Sequence, residues 1–290
     1  MRRSQGPREL TWQLRGRLGS RPVSAKPPLR HEEVQRILGL LEPLSLDRSI
    51  VLVGGQAVAF WTRFLRERSG EVAAFAPLAS KDIDFEGSAR AVQRTAGLLR
   101  ARMQLASMDD HTPNTGIVMF VDADGIEREI DFIDQPLGLR ARDIRDTAVR
   151  LIVPRDGAGN EAPVWVMHPE RCMESRIYNA QILHKTDELA MRQLAVSIVC
   201  AREWSRYLLD DDSSPERARA VLRINERIFR KCLRDMHFRA AELTLRIDPF
   251  EAVLVEHPVL PAQFRERRYP QMREQIEDRR GRDRKTRVNT

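Results

Sequence analysis

A short apolar run that ends in two glycines constrains the fold of this chain more than any other feature of its sequence. Ile50–Val53 is apolar at every position, Gly54 and Gly55 follow it, and apolar residues then recur at helical spacing from Ala57 to Phe64. An apolar run of this length stopped by glycines is typical of a buried strand and a tight turn. The sequence therefore predicts a strand, a glycine turn and a helix in succession, as in proteins that combine helices with a buried sheet.

Two acidic residues alternate with large apolar residues in the segment SKDIDF, which begins at Ser80. Side chains at i and i+2 share one face of a strand, so Asp82 and Asp84 would point together while their neighbours face the core. A later segment, EIDFI, places Asp131 between apolar residues in the same way. If the two strands pair, three carboxylates converge, and they repel each other unless cations neutralise them. Hard oxygen ligands of this kind select Mg²⁺ or Mn²⁺, so we predict a divalent-metal site.

The glycine turn supplies a complementary phosphate site. Gly54 and Gly55 would let a ligand approach the backbone, and the helix that follows offers unpaired N–H groups and a positive dipole end. Phosphate on one side and divalent ions on the other predict phosphoryl or nucleotidyl transfer. Gln56, the next residue, could contact the γ-phosphate or cap the helix. Lys81 could help to neutralise a triphosphate, or could be an ordinary solvated lysine.

In this order, the segments VGGQAVAFW, SKDIDF and EIDFI resemble the nucleotidyltransferase superfamily that shares the polymerase β-like palm. Within it, the chain looks closest to the AbiEii-like toxins of abortive-infection systems. The resemblance covers residues 48–135 and implies that Gly54 and Gly55 form the phosphate-binding turn. It also implies that Asp82, Asp84 and Asp131 are the metal-binding and catalytic carboxylates. The interval between Gly55 and Asp82 is longer than the short spacing of the family, which indicates an inserted segment.

The resemblance implies Mg²⁺-dependent transfer of a nucleoside monophosphate from a nucleoside triphosphate to an acceptor hydroxyl, with release of pyrophosphate. It also implies a toxin of a toxin–antitoxin or phage-defence system, with a cognate antitoxin protein as a partner. Relatives carry a basic residue on the first helix after the palm. Arg176, a candidate nucleotide-binding residue, and Lys185 are the matching positions here, although both also fit ordinary surface or inter-domain polar residues.

Two alternative functions stay open from the sequence, and so does the identity of the acceptor. A catalytically idle palm could act as a nucleotide-binding or partner-binding module. A glycosyltransferase also uses Asp-x-Asp, but it gives no role to Gly54, Gly55 or Asp131. The acceptor could be a tRNA 3′ end, a protein hydroxyl or a small molecule.

The resemblance and the apolar spacing predict an α+β fold in four parts. A basic flexible leader spans residues 1–30, a nucleotidyltransferase palm with a mixed sheet flanked by helices spans 31–155, a helical domain spans 156–261, and a basic tail spans 262–290. Within the palm we expect a helix over Ser88–Met103. We also expect a hairpin turn at Asp122–Gly125, and a strand at Val164–Met167 before the chain becomes helical.

The basic residues are concentrated at the two ends of the chain. The formal charge of +7 divides into +7 for residues 1–30, +5 for residues 262–290 and −5 for the residues between them. Basic arms attract phosphate backbones, so we expect tRNA or another RNA as a partner that binds through the tails. The alternative is that the ends are only solvated, poorly ordered termini.

Cysteine usage and hydropathy indicate a cytoplasmic protein. Cys172, Cys200 and Cys232 are isolated and lack the spacing of a zinc site, and their odd number argues against a disulfide framework. The sequence contains no apolar run of the length that crosses a membrane, so we expect no membrane association.

Overall fold

The computed structural model describes residues 27–78, 80, 82–107, 109–110, 112–154 and 161–288. Nearly all of the predicted leader, residues 1–30, lies outside the described residues. Lys81 also lies outside them.

A mixed sheet of seven strands forms the centre of the described structure. The strands are β1 (Ile50–Val53), β2 (Ile83–Gly87), β3 (Arg102–Leu105), β4 (Asn114–Val121), β5 (Glu127–Ile133), β6 (Val149–Pro154) and β7 (Glu161–Val166). Their order across the sheet is β3-β4-β5-β2-β1-β7-β6. β2 runs antiparallel to β1 and parallel to β5, and β7 runs parallel to β1.

Helices cover the sheet and then continue into a helical C-terminal part, which confirms the α+β class. They are α1 (His31–Leu40), α2 (Glu42–Leu46), α3 (Gly54–Leu65), α4 (Gly70–Ala73), α5 (Ala89–Leu99), α6 (Ala141–Thr147), α7 (Pro169–Ile182), α8 (Glu188–Asp211), α9 (Pro215–Arg234), α10 (Met236–Leu245) and α11 (Tyr269–Val288). Among the helices that the structure describes, none combines the length and the apolar character needed to cross a membrane.

Several local predictions are confirmed. β1 passes directly into α3 through Gly54, whose φ of +66° is a conformation that favours glycine. β4 and β5 pair antiparallel around the turn at Asp122–Gly125, where the Asp122 N–H donates to the carbonyl of Ile126 at 2.9 Å. The strand–turn–helix unit and the hairpin that flank the acidic segment therefore both form.

Other predictions need correction. The helix expected over Ser88–Met103 ends at Leu99, because Arg100 adopts a left-handed conformation and the chain then enters β3. Asp82 lies just before β2 rather than inside it. β7 pairs with both β1 and β6, so the sheet extends beyond residue 155, the limit that was predicted for the palm.

The C-terminal basic segment is a packed helix over most of its length. α11 buries Met272, Ile276 and Arg280, and Arg280 pairs with Asp248 on the loop before a short 3₁₀ turn. Arg239 of α10 also donates to Asp283 at 2.9 Å. The interpretation of this end as a poorly ordered, solvated terminus is therefore wrong for the described residues of α11.

The buried apolar residues form two clusters that meet along α8. One cluster surrounds the sheet and includes Val196, Val199 and Trp204 from one side of α8. The other fills the helical part and includes Leu194 and Ile198 from the same helix. α8 therefore contributes to both cores and fixes the helical part against the sheet.

Candidate functional site

The glycine turn and the first acidic strand are packed directly against each other. Val53, the last residue of β1, pairs with Asp84 of β2, and the next residue is Gly54. A Cβ atom at Gly54 would lie 1.8 Å from Oδ2 of Asp84, so no other residue type fits there without a shift. The backbone N–H of Gly55 also acts on the Asp84 carboxylate and lowers its pKa, against the larger effect of burial. The turn predicted to bind phosphate therefore lies against the central acid of the predicted metal site.

Asp84 and Asp131 are direct neighbours across the parallel pairing of β2 and β5. Paired strands run about 4.8 Å apart, and residues that pair directly project from the same face of the sheet. Asp82 precedes Asp84 by two residues and is exposed. The structure therefore brings Asp84 and Asp131 together as predicted, and Asp82 lies just before β2, close enough for its charge to raise the pKa of both.

The electrostatics of the pair are those of carboxylates that lack a neutralising cation. Burial raises the pKa of Asp84, and the charge of Asp82 adds to this while the Arg176 guanidinium opposes it. Burial, followed by the charges of Asp84 and Asp82, raises the pKa of Asp131 to about 6. Lys185, which is exposed just beyond α7, lowers the pKa of both Asp84 and Asp131. A bound cation would remove most of this repulsion.

Glu86, on the same strand as Asp84, is a carboxylate that is neutralised by an arginine. It lies two residues after Asp84, so it projects from the same face, and it is buried. Arg145 donates to both of its oxygens, from Nε at 2.8 and 2.9 Å and from Nη2 at 2.6 Å. Among the described residues no such ion pair forms at Asp84 or Asp131, so this strand has one structural acid and one that lacks a partner cation.

The donor chemistry of these acids fits Mg²⁺ or Mn²⁺, but their present arrangement does not complete a metal site. Within the described part of the chain, no group of three or more His, Cys, Asp or Glu side chains is close enough to hold a metal ion. Asp84 and Asp131 supply adjacent hard oxygen donors, and Asp82 would have to turn towards them. The fit therefore depends on two positioned carboxylates and on a third that must reorient.

Arg176 extends from α7 towards the acids and is held by α8. Its Nη1 donates to Oε1 of Gln193 at 3.1 Å, while its Nε is buried without a hydrogen-bond partner. Burial lowers the pKa of Arg176, and the nearby Asp84 carboxylate opposes that effect. This is the position predicted for a nucleotide-binding cation, and it lies between the helical part and the sheet.

Two residues at this position were not predicted from the sequence. Gln193 is 5% exposed, and a Cβ atom at Gly55 would lie 2.7 Å from its Nε2 and 2.9 Å from Oγ of Ser80. Ser80 opens the acidic segment, but no pattern in the sequence connects it with Gln193. Only the packing of α8 against α3 reveals that both side chains border the glycine turn.

The remaining predicted site residues are less well placed or cannot be described. Gln56 is buried, and its Nε2 donates at 3.5 Å to the carbonyl of Ser80, so contact with a phosphate would require this side chain to move. Lys81 lies outside the described residues. Asn114 of β4 was not predicted, and its Nδ2 donates to Oδ1 of Asp131 at 3.5 Å.

Comparison with known proteins adds little to this description. No family model matches the chain, and no curated protein matches it. One solved structure, described as the crystal structure of JHP933 from Helicobacter pylori, aligns over 90% of this chain and 97% of its own, with 13% identity and a TM-score of 0.33.

Proposed function

We propose that this protein is a nucleotidyltransferase that moves a nucleoside monophosphate from a nucleoside triphosphate to an acceptor hydroxyl in a Mg²⁺-dependent reaction. One observation carries the proposal. Asp84 and Asp131 lie side by side without a partner cation, and Asp84 contacts the glycine turn at the start of α3. A nucleotidyltransferase palm brings these two elements together because the triphosphate and its metal ions occupy adjacent positions.

Each residue of the site has a distinct role in this proposal. Asp84 and Asp131 hold the metal positions, and Asp82 completes them after it turns inward. Divalent ions bound there would lower the pKa of the acceptor hydroxyl and offset the charge of the triphosphate. Asp131, which would lie beside the metal-bound hydroxyl, would also accept its proton.

The turn and the helical part would hold the nucleotide. The backbone at Gly54 and Gly55 allows close approach of a phosphate, and the N-terminal end of α3 favours negative charge. Arg176, between α8 and the acids, would balance the charge of the bound triphosphate. Lys81 and Gln56 stay secondary candidates for the same task.

The cellular role that we propose follows from the motif resemblance alone. An AbiEii-like enzyme would act in the cytoplasm as a toxin or phage-defence protein, would be restrained by an antitoxin protein, and would modify a tRNA or a protein.

The second candidate is a palm that binds nucleotides or a partner protein without catalysis. It is favoured by the exposed Asp82, which does not converge with the other acids, and by the buried amide of Gln56. Such a module would bind a nucleoside triphosphate with Mg²⁺ and release no pyrophosphate.

Incubation of the purified protein with each α-³²P-labelled nucleoside triphosphate, Mg²⁺ and total cell extract tests the proposal. We expect one class of macromolecule to become labelled, pyrophosphate to be released, and Asp84→Asn to abolish both. Asp211→Asn is the matched control, because Asp211 is an exposed carboxylate at the end of α8, about five helical turns along that helix from Gln193. Full transfer by Asp84→Asn would contradict the assignment, and nucleotide binding without transfer by the unmodified protein would support the idle module.

A further inference from the structure

A basic cleft lies between the helical part and the segment that follows β5. It encloses about 650 Å³ and is bordered by residues 138–143 on one side and by α7 and α9 on the other. Its cationic side chains are Arg140, Arg171, Arg227, Arg230, Lys231 and Arg234, and three acidic side chains accompany them. Glu170, which pairs with Arg227, is a fourth acid, so six cations and four acids leave a formal excess of two positive charges.

Half of these cations are already neutralised and form the walls of the cleft. Arg171 donates to both oxygens of Glu174 at 2.8 Å. Arg227 makes a two-pronged contact with Glu170, with its shortest distance 2.6 Å. Both glutamates are buried, and both pairs leave little charge for a ligand. The Arg171 pair lies within α7, whereas the Arg227 pair fixes α9 against α7.

Lys231 belongs to the same fixed framework. Its Nζ donates to the hydroxyl of Tyr178 at 3.0 Å, and that hydroxyl donates to Oδ2 of Asp235 at 2.6 Å. The ring of Tyr178 packs so closely on Gly138 that a Cβ atom there would lie 2.2 Å from it. The segment after β5 is thereby held against α7, and the two sides of the cleft keep a defined separation.

Arg140, Arg230 and Arg234 are the cleft cations outside this framework, and Asp143 is the remaining acidic side chain of the lining. All three arginines are exposed, and their side chains form no ion pair or hydrogen bond with other described residues. Arg230 and Arg234 are one turn apart on α9 and so share a face, while Arg140 approaches from the opposite side. Three unpaired guanidinium groups around one rigid cleft repel each other until an anion binds between them.

The lining indicates which kind of anion fits. Among the described residues that line the cleft, Leu139 is the single large apolar side chain, and it is buried. Protein–protein interfaces have an apolar centre, whereas phosphate backbones are held by arginines that need no apolar surroundings. Guanidinium groups also match the oxygen geometry of phosphates. The cleft therefore suits a nucleic-acid backbone better than an acidic protein.

The cleft and the acidic pair share one helix. Arg171 and Glu174 of α7 border the cleft, and Arg176 of the same helix interacts with Asp84. We propose that the cleft between α9 and the segment 138–143 binds the phosphate backbone of an RNA acceptor through Arg140, Arg230 and Arg234. This inference rests on the proposed nucleotidyl transfer and assigns RNA recognition to this cleft rather than to the terminal tails.

Salt-dependent binding to RNA tests the site separately from catalysis. The protein is the full chain that carries Asp84→Asn, and the probes are fluorescein-labelled oligouridylate and bulk tRNA. The triple variant combines Arg140→Gln, Arg230→Gln and Arg234→Gln, and it should bind RNA at least tenfold more weakly. The slope of log association constant against log salt concentration should become shallower by about 2, as expected for three lost contacts to single-stranded RNA.

The matched control removes the same charge elsewhere. Arg90, Arg150 and Arg273 are exposed, do not line the cleft, and form no ion pair or hydrogen bond with other described residues. Their combined replacement by Gln should leave the slope nearly unchanged. Equal loss in both triple variants, or polyglutamate competing as strongly as RNA, would overturn the assignment of the cleft.

The same variants separate failure of this inference from failure of the proposed function. If the cleft binds RNA but the unmodified chain transfers no nucleotide, the inference about the site stands and the catalytic proposal fails. If transfer to RNA occurs and persists at full efficiency without Arg140, Arg230 and Arg234, the catalytic proposal stands and this inference fails. Circular dichroism of the cleft variant confirms that it is folded.

Discussion

Asp84 of β2 lies directly beside Asp131 of β5, and neither carboxylate has an arginine or lysine in ion-pair contact among the described residues. Two residues further along β2, Glu86 is enclosed by Arg145. The contrast matters because one strand face carries both a structural ion pair and a pair of mutually repelling acids. Stability alone would favour a partner for each acid, so the unpaired acids support the proposed metal site.

Replacement of one carboxylate of the pair should separate activity from stability. Asp84→Asn or Asp131→Asn should lower nucleotidyl transfer at least about 100-fold, because a metal ligand is lost. The same variants should unfold at equal or higher temperature, since like-charge repulsion is relieved, with a gain on the order of 1 kcal/mol. Transfer assays and thermal unfolding in metal-free buffer measure the two effects. A large loss of stability would show that the carboxylates stabilise the fold.

Stability of the metal-free protein should fall as pH rises through the pKa of Asp131. This pKa is raised to about 6 in the folded protein, so folding favours the protonated acid. The stabilising contribution is complete below pH 4 and is lost progressively as pH approaches and passes 6. Urea unfolding across this range should show a loss of about 1 to 2 kcal/mol, after allowance for solvent screening of a half-buried group.

Asp131→Asn provides the control for this pH dependence. In this variant the free energy of unfolding should change much less between pH 4 and 6. Some pH dependence should remain, because the pKa of Asp84 is also raised. Affinity for Mn²⁺ should rise over the same interval, since the metal requires the deprotonated acid. If the free energy of unfolding depends on pH as strongly in the variant as in the unmodified protein, Asp131 is not the group responsible.

Substitution of Gly54 should destabilise the folded protein far more than substitution of another glycine whose φ is also positive. Gly54→Ala combines a φ of +66° with a Cβ atom 1.8 Å from Oδ2 of Asp84, so it should destabilise the protein by about 2 to 4 kcal/mol. Gly125 has a φ of +76° with open space around it, so Gly125→Ala should cost about 1 kcal/mol. Chemical unfolding of both variants gives the comparison. Equal losses would show that the contact between Gly54 and Asp84 does not matter.

Removal of α11 should unfold part of the helical core rather than delete a disordered arm. Met272 and Ile276 are buried, and each contributes about 1.5 to 3 kcal/mol when it is removed from water. Truncation before Tyr269 should therefore lower the unfolding temperature clearly and expose surface that binds an apolar dye. A truncated chain with unchanged stability would contradict the packing of this helix.

The sequence predicted the local parts of the site well, because their signals are local. The run at Ile50–Val53, the glycines after it and the alternation around Asp84 each depend on spacing within a few residues. β3 was missed because three residues of Arg102–Leu105 are exposed, so no buried alternation marks this edge strand. Edge strands of this kind carry little periodic signal.

Contacts between residues far apart in the sequence could not be predicted from such local patterns. The parallel register that joins Asp84 to Asp131 had to be assumed, and the position of Gln193 beside Gly55 depends on the packing of α8 against α3. The packing of the C-terminal segment was also beyond the sequence, for the same reason. Its composition is strongly basic, and only the docked structure shows that Met272 and Ile276 give it a buried face.

Because α8 belongs to both hydrophobic cores, the helical part cannot be exchanged independently of the sheet. One side of the helix completes the core around the sheet. On this side the ring centroid of Trp204 lies 4.9 Å from that of Trp61 of α3. The opposite side completes the helical core through Leu194 and Ile198. The sheet and the helical part are therefore not modular: a helical part taken from another protein would leave the sheet without part of its own interior.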